Sequence, residues 1–300
     1  MIKNTTFSKI FLSNTKNKTC YQPALLRSFS DQKDPKSYSS INHEEVLKFS
    51  ENSQSWWDPK GPFMPLHSMN PSRVEYIRNI WKNLKYKTLS DQDYNKNPAP
   101  FSGSKIVDVG CGGGLLSESL SRLGGQVLGV DASPENIGIA RAHMLLDPSF
   151  VDGVFSLDYI ESTAEKLVEE KKTFDLVTSV EVIEHVENYH EFLKSLADLT
   201  SPGGLLVMST INRTILGRLL CVAIPEYLLN VVPRGTHDYE KFVKPEEISR
   251  VLEQVGLKVV DVTGIWYKPI SNTWKLQHRN VGPFSDAGIQ SNYLISAVKL

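Results

Sequence analysis

The chain has 300 residues, 40% of them hydrophobic and 22% charged, with 33 basic against 34 acidic side chains and a formal net charge of -1. That length supplies one large core or two small ones, and the even charge removes any global reason to expect a nucleic-acid partner, which needs a basic face. Only Cys20, Cys111 and Cys221 occur, far apart and without Cys-x-x-Cys or Cys/His spacing, so neither a disulfide framework nor a zinc site is indicated and a reducing compartment fits.

Residues 1–30 hold Lys3, Lys9, Lys16, Lys18 and Arg27, many Ser and Thr, and no acid before Asp31. A basic, Ser-rich, acid-free leader without a continuous apolar run has the composition of a mitochondrial or plastid transit peptide; the plain alternative is a disordered basic tail. The expected division is a leader at 1–30, an N-terminal helical segment and linker at 31–100, and the main domain at 101–300. Within the second segment, Glu44 to Phe49 reads as a short helix, and Trp56-Trp57-Asp58-Pro59 with Gly61-Pro62 as a turn-rich lead into the core. Val74, Ile77, Ile80, Trp81 and Leu84 have helical spacing that starts after Asn70-Pro71. The polar stretch from Ser90 to Pro100 reads as a loop.

From Lys105 onward short apolar runs alternate with helical segments. Strands are expected at Ile106–Val109, Gln126–Val130, Phe155–Tyr159, Phe174–Val180 and Leu205–Ser209, and helices at Leu115–Leu123, Pro134–Leu145 and Tyr189–Leu199. A helix at Pro245–Val255 and strands at Val259–Thr263 and Tyr293–Val298 follow. Strands separated in this way imply a parallel sheet with helices on both faces, a doubly wound α/β domain.

The run Val107-Asp108-Val109-Gly110-Cys111-Gly112-Gly113-Gly114 joins the first of these strands to the first helix, where small residues let a ligand approach the backbone. Its glycines follow G-x-G-x-G. The dinucleotide fingerprint would need glycine at 115, where this chain has Leu115, and that favours a nucleoside without a pyrophosphate. Asp131 closes the second strand, where an acidic side chain accepts from ribose hydroxyls. A merely structural turn is the bland alternative for the loop.

These residues resemble the S-adenosylmethionine-dependent methyltransferases over about residues 100–210. The resemblance implies a Rossmann-like class I fold: a mostly parallel seven-stranded sheet with its last strand antiparallel and helices on both faces. Donor and acceptor would meet above the C-terminal ends of the strands. Directly after the fourth strand comes Glu181-Val182-Ile183-Glu184-His185-Val186. On a helical turn Glu181, Glu184 and His185 share a face and could hold Mg²⁺ or Mn²⁺; a helix-capping turn beneath the cofactor explains the same residues. Ile215 to Val232 is unusually apolar, but Arg218, Pro225 and Glu226 leave no uncharged stretch near the roughly 20 residues that span a bilayer. It reads as an interfacial helix or hydrophobic lid, or as a core helix.

A closer match rests on Leu66-His67-Ser68-Met69-Asn70-Pro71-Ser72-Arg73, the glycine loop, Glu181 to Val186, Thr210 to Arg213, Pro233-Arg234-Gly235-Thr236-His237-Asp238, Lys244-Pro245, Tyr267-Lys268-Pro269-Ile270 and Asn272-Thr273-Trp274. Together these resemble the O-methyltransferases of ubiquinone biosynthesis over about residues 42–300. The resemblance implies methyl transfer to a phenolic hydroxyl of 3,4-dihydroxy-5-polyprenylbenzoate and of demethylubiquinol. It implies cofactor contacts at Arg73, Gly110, Asp131 and Val180, the last through its backbone, and Mg²⁺ on Glu181, Glu184 and His185. It also implies peripheral attachment to the matrix face of the mitochondrial inner membrane, through a lipid-facing insertion at 212–235 and within a biosynthetic complex. A free phenol has a pKa of about 10, so something must favour its ionised form; His237 is a candidate base, or equally a loop hydrogen-bonder. Methylation of another small hydrophobic phenol, or a non-catalytic cofactor-binding scaffold, are the competing expectations.

Overall fold

A computed structural model describes residues 39–219, 238–268, 271, 273–278 and 289–300. The leader at 1–30, His237, most of the apolar insertion and Asn272 lie outside the described residues.

The helices and strands follow in the order α1 (His43–Glu51), α2 (Met64–Lys85), α3 (Asp91–Asn95), β1 (Lys105–Val109), α4 (Leu115–Arg122), β2 (Gln126–Asp131), α5 (Pro134–Met144), α6 (Pro148–Val151), β3 (Ser156–Glu161), α7 (Ala164–Glu169), β4 (Phe174–Val180), α8 (Tyr189–Leu199), β5 (Thr200–Ile211), the single turn α9 (Ile215–Gly217), α10 (Pro245–Gln254), β6 (Leu257–Lys268), β7 (Thr273–His278) and β8 (Asn292–Lys299). One sheet runs β3-β2-β1-β4-β5-β8-β6-β7. The first five strands of that order pair in parallel, and β8 lies antiparallel between β5 and β6.

The central strands are apolar at successive positions because both faces are covered. On β5, Leu205 and Val207 face α2 and α4, while Leu206 and Met208 join the core under α8 and α10. β1 divides in the same way, with Ile106 on the first side and Val107 and Val109 on the second. Tyr76, Ile77 and Trp81 carry α2 into the first core, so the segment before β1 packs directly on the sheet.

Three sequence expectations change. Among the described residues the sheet has eight strands, against the seven expected. β7 pairs along β6 at the edge and is held to α2 by the Trp274 indole donating to Ser68 Oγ at 2.9 Å and by Ser72 Oγ donating to the Trp274 carbonyl at 3.1 Å. Its Trp274 and Leu276 alone made too short an alternation to read. The long helix begins at Met64, not after Asn70-Pro71, and runs through Pro71. Tertiary contacts override the local start signal: Met69 and Asn70 are buried, and the Asn70 amide donates to Leu115 O and Ser119 Oγ on α4. Finally, the polar stretch after Ser90 contains a short helix, its first turn capped by Ser90 Oγ accepting from Asp93 N.

Candidate functional site

Four strand ends converge at the C-terminal edge of the parallel half. β1 runs into the glycine loop, β2 ends on Asp131, β4 ends on Val180 and is followed by Glu181, and β5 brings Ser209 and Thr210 alongside. Gly110, Gly112 and Gly114 all have positive φ (74°, 54° and 88°), which L side chains adopt only with strain. A Cβ at Gly114 would lie 2.1 Å from the Tyr159 hydroxyl, and one at Gly110 2.4 Å from Val182 Cγ2. These glycines therefore satisfy backbone conformation and crowding together.

Beneath the loop Asp108 is 1% exposed and accepts from Ser117 Oγ at 2.7 Å and Thr178 Oγ1 at 2.8 Å. Burial pushes its pKa up, and the two hydroxyl donors and the charge of Arg73 partly oppose that. Asp131 accepts from Gly112 N and Ser133 N, both at 2.9 Å, and from the Asn136 side-chain amide at 3.2 Å. Burial raises its pKa too, against the pull of those three donors. The carboxylate is thereby fixed in place at the end of β2, beside the loop that a nucleoside would cross.

Arg73, from α2, is 3% exposed. Its Nη2 stands 3.2 Å from Glu181 Oε1, yet Nε and Nη2 are buried without a hydrogen-bond acceptor among the described residues. Unsatisfied guanidinium donors in a buried site are costly unless a ligand supplies acceptors, and a carboxylate matches the fork. Val180 is partly buried at the end of β4 and pairs with Ser209.

The acidic turn differs from the expected helix. Glu181 sits in the left-handed region at φ 55°, and the turn that follows, Ile183–His185, is 3₁₀. Glu181 accepts from Ser209 Oγ at 2.6 Å, Glu184 from Thr210 Oγ1 at 2.9 Å, and the His185 Nδ1–H donates to Glu45 of α1 at 3.0 Å. The hydrogen bond from His185 holds the Glu45 carboxyl down at about 2. Among the described residues no three His, Cys, Asp or Glu side chains converge on a formed metal site. The shared helical face argued from i, i+3, i+4 spacing is absent because Glu181 precedes the turn and His185 turns toward α1. The two carboxylates do fit a cation chemically. Burial and then the charge of Glu181 push the pKa of Glu184 up to about 7, the tension a divalent ion would relieve.

Trp56, Trp57 and Asn136 had no site signal in the sequence, where the tryptophans read only as a turn-rich lead. Trp57 stacks on His143 with ring centroids 3.3 Å apart, and its indole donates to Gly113 O at 3.0 Å. Residues 220–237, which include His237 and most of the insertion, lie outside the described residues; no described helix is long and apolar enough to cross a membrane.

The family described as "Methyltransferase domain" matches residues 80–262. The ubiquinone biosynthesis O-methyltransferase, mitochondrial, of Arabidopsis thaliana is 45% identical over 243 residues, covering 80% of this chain and 71% of the relative. The ubiquinone biosynthesis O-methyltransferase of Sinorhizobium fredii is 44% identical over 238 residues, covering 79% and 91%. Two solved structures share the fold. One is a possible histamine N-methyltransferase of Thermotoga maritima, with TM-score 0.54, 17% identity and coverage of 86% and 100%. The other is magnesium protoporphyrin IX methyltransferase of Synechocystis with bound S-adenosylhomocysteine, with TM-score 0.54, 16% identity and coverage of 86% and 97%.

Proposed function

This chain belongs to the ubiquinone biosynthesis O-methyltransferases, enzymes that transfer methyl from S-adenosylmethionine, and from that membership we propose how its own residues do so. The acceptor is a polyprenylated catechol, 3,4-dihydroxy-5-polyprenylbenzoate and later demethylubiquinol. Arg73 carries the reading. Its buried donors, Nε and Nη2 without a formed hydrogen bond, lie beside Glu181 at the end of β4, where the methionine carboxylate would complete them. Gly110 lets the backbone approach the donor, Asp131 takes the ribose, and the Val180 backbone closes the cofactor's other side.

Transfer is an in-line displacement: the phenolate oxygen forms a bond to the methyl carbon as the sulfonium C–S bond breaks and its electron pair returns to sulfur. The protein contributes by holding oxygen, carbon and sulfur in line and by favouring the phenolate. Glu181, Glu184 and His185 are the proposed holders of Mg²⁺, with His185 released from Glu45. Such an ion supplies positive charge that lowers the pKa of a neighbouring phenol. His237 remains the proposed base.

The acid-free leader and the mitochondrial relative support mitochondrial import. The exposed Ile215 (86%) and Leu219 (47%), which open the apolar insertion, support peripheral attachment at the matrix face of the inner membrane, among other subunits of a biosynthetic complex. The deciding experiment is transfer of labelled methyl from S-adenosylmethionine to a polyprenylated catechol. A mono-O-methylated product is expected, whereas tight S-adenosylhomocysteine binding without product would leave only a scaffold.

The raised Glu184 makes a pH-dependent prediction. Its folded pKa, about 7, lies above the ordinary 4.5, so its ionisation works against the fold. The cost is absent below about pH 4, grows as pH rises between those two values, and is full above them. Glu184→Gln is therefore expected to stabilise the metal-free protein at pH 8 by about 1–3 kcal/mol and to change little at pH 4. Urea denaturation in EDTA measures this. Added Mg²⁺ should close the gap by stabilising the wild type alone; equal response of both proteins would remove the metal from these residues.

A further inference from the structure

Trp56 is 8% exposed and stacks on Phe63, with ring centroids 3.9 Å apart and planes 2° from parallel. Its ring lies against the glycine loop so closely that a Cβ on Gly112 or Gly113 would fall 2.3 or 2.6 Å from indole carbons. From that seat the indole Nε1–H donates to Asn136 Oδ1 at 2.9 Å, while Asn136 Nδ2 donates to Asp131 Oδ1 at 3.2 Å. Asn136 is itself 3% exposed on the first turn of α5, its backbone N–H taken by Ser133 Oγ at 3.1 Å.

A side-chain amide has a donor end and an acceptor end of nearly the same shape, and nothing in its own covalent structure selects which end faces a neighbour. Here the neighbours select. Indole N–H only donates and an ionised carboxylate only accepts, so one orientation satisfies both partners and the flipped one opposes donor to donor and acceptor to acceptor. The other carboxylate oxygen is taken by Gly112, the residue Trp56 packs against, which donates its backbone N–H to Asp131 Oδ2 at 2.9 Å. With Ser133 N on Oδ1, three donors fill three of the roughly four acceptor positions of a carboxylate. The position left, on Oδ2, is the one open to a ribose hydroxyl.

We infer that Trp56 is a positioning residue for the cofactor's ribose: its indole N–H locks the Asn136 amide so that Asp131 meets a donor and keeps its remaining acceptor position free for a ribose hydroxyl. The inference rests on the proposed role of Asp131 in holding that ribose.

The test uses the full chain and two ligands, S-adenosylhomocysteine and its 2′,3′-dideoxy analogue, titrated calorimetrically. Trp56→Phe keeps an aromatic ring facing Phe63 and removes the indole N–H together with the second ring, so the comparison of the two ligands and the Asn136→Ala variant separate the lost hydrogen bond from the lost packing. It is expected to weaken S-adenosylhomocysteine by roughly tenfold, the scale of one hydrogen bond to a charged group, and the dideoxy analogue by less than about twofold. In turnover the loss falls on the KM for S-adenosylmethionine and leaves kcat nearly unchanged. Asn136→Ala repeats the pattern, and the double variant is no weaker than Asn136→Ala alone, because the two residues act in series. Unchanged binding in Trp56→Phe, or an equal loss for both ligands, overturns the relay. If Asp131→Asn leaves the preference for the ribose-bearing ligand intact, the ribose assignment itself falls. If Asp131→Asn abolishes that preference while Trp56→Phe and Asn136→Ala retain it, only the relay falls.

Discussion

Arg73→Ala is expected to weaken S-adenosylmethionine binding by on the order of a hundredfold to a thousandfold, the scale of removing one member of a buried, hydrogen-bonded charge pair. The guanidinium is nearly inaccessible and two of its nitrogens lack acceptors. Its removal takes away the proposed partner of the methionine carboxylate and also leaves Glu181, 3.2 Å away, without its cation. Two consequences separate those roles. 5′-Methylthioadenosine, which has the nucleoside but no carboxylate, should bind wild type and Arg73→Ala within about twofold of each other. Arg73→Lys should recover part of the affinity, since an ammonium restores the charge without the planar fork. Equal loss for both ligands would show that Arg73 shapes the fold of the site and does not meet the carboxylate.

Gly114→Ala is expected to abolish activity and to destabilise the protein by about 3 kcal/mol, combining left-handed strain with overpacking. Gly114 begins α4 at φ 88°, and the added methyl would meet the Tyr159 hydroxyl and ring carbon Cζ at 2.1 and 2.7 Å. Tyr159 cannot yield. It is fully buried, its hydroxyl donates to Gly114 O at 3.3 Å, and Gly129 lies against the same ring edge, where a Cβ would be 2.4 Å from Cδ1. Gly103→Ala is the control, since it shares a positive φ of 79° with nothing within 4 Å. Urea denaturation of the pair should show a substantially larger loss for Gly114→Ala, and equal losses would assign the effect to backbone conformation alone.

The glycine loop and Asp131 could be read in the sequence because their demands are local. A strand must turn sharply into a helix, left-handed φ values select glycine, and the next strand in the sheet ends beside that turn. The same logic placed β1, β2, β4, α4, α5 and α8 within a residue or so of their observed bounds. What escaped depends on partners distant in sequence. Trp56 and Asn136 are 80 positions apart, and Glu45 and His185 are 140 apart. Periodicity therefore assigned Glu181, Glu184 and His185 to one helical face, while the contact with α1 turns the imidazole aside. The start of α2 failed for a related reason: Asn70-Pro71 is a sound local boundary signal that packing against α4 outweighs. Assignment of the acceptor comes from relatedness, since the described residues include the proposed donor site but not 220–237.

Of the eight strands among the described residues, the last in chain order lies inside the sheet. β8 places Tyr293, Leu294, Ile295 and Ala297 in the core and supplies pairing partners to both β5 and β6. A nascent chain that has emerged only through β7 thus holds a five-stranded parallel half with the β5 edge bare, and a separate β6–β7 pair of the kind that is marginal alone in water. Closure of the sheet must wait until β8 leaves the ribosome. Until then the chain offers chaperones and proteases two open edges, so synthesis interrupted before β8 yields a degradation substrate and not a slightly weakened enzyme.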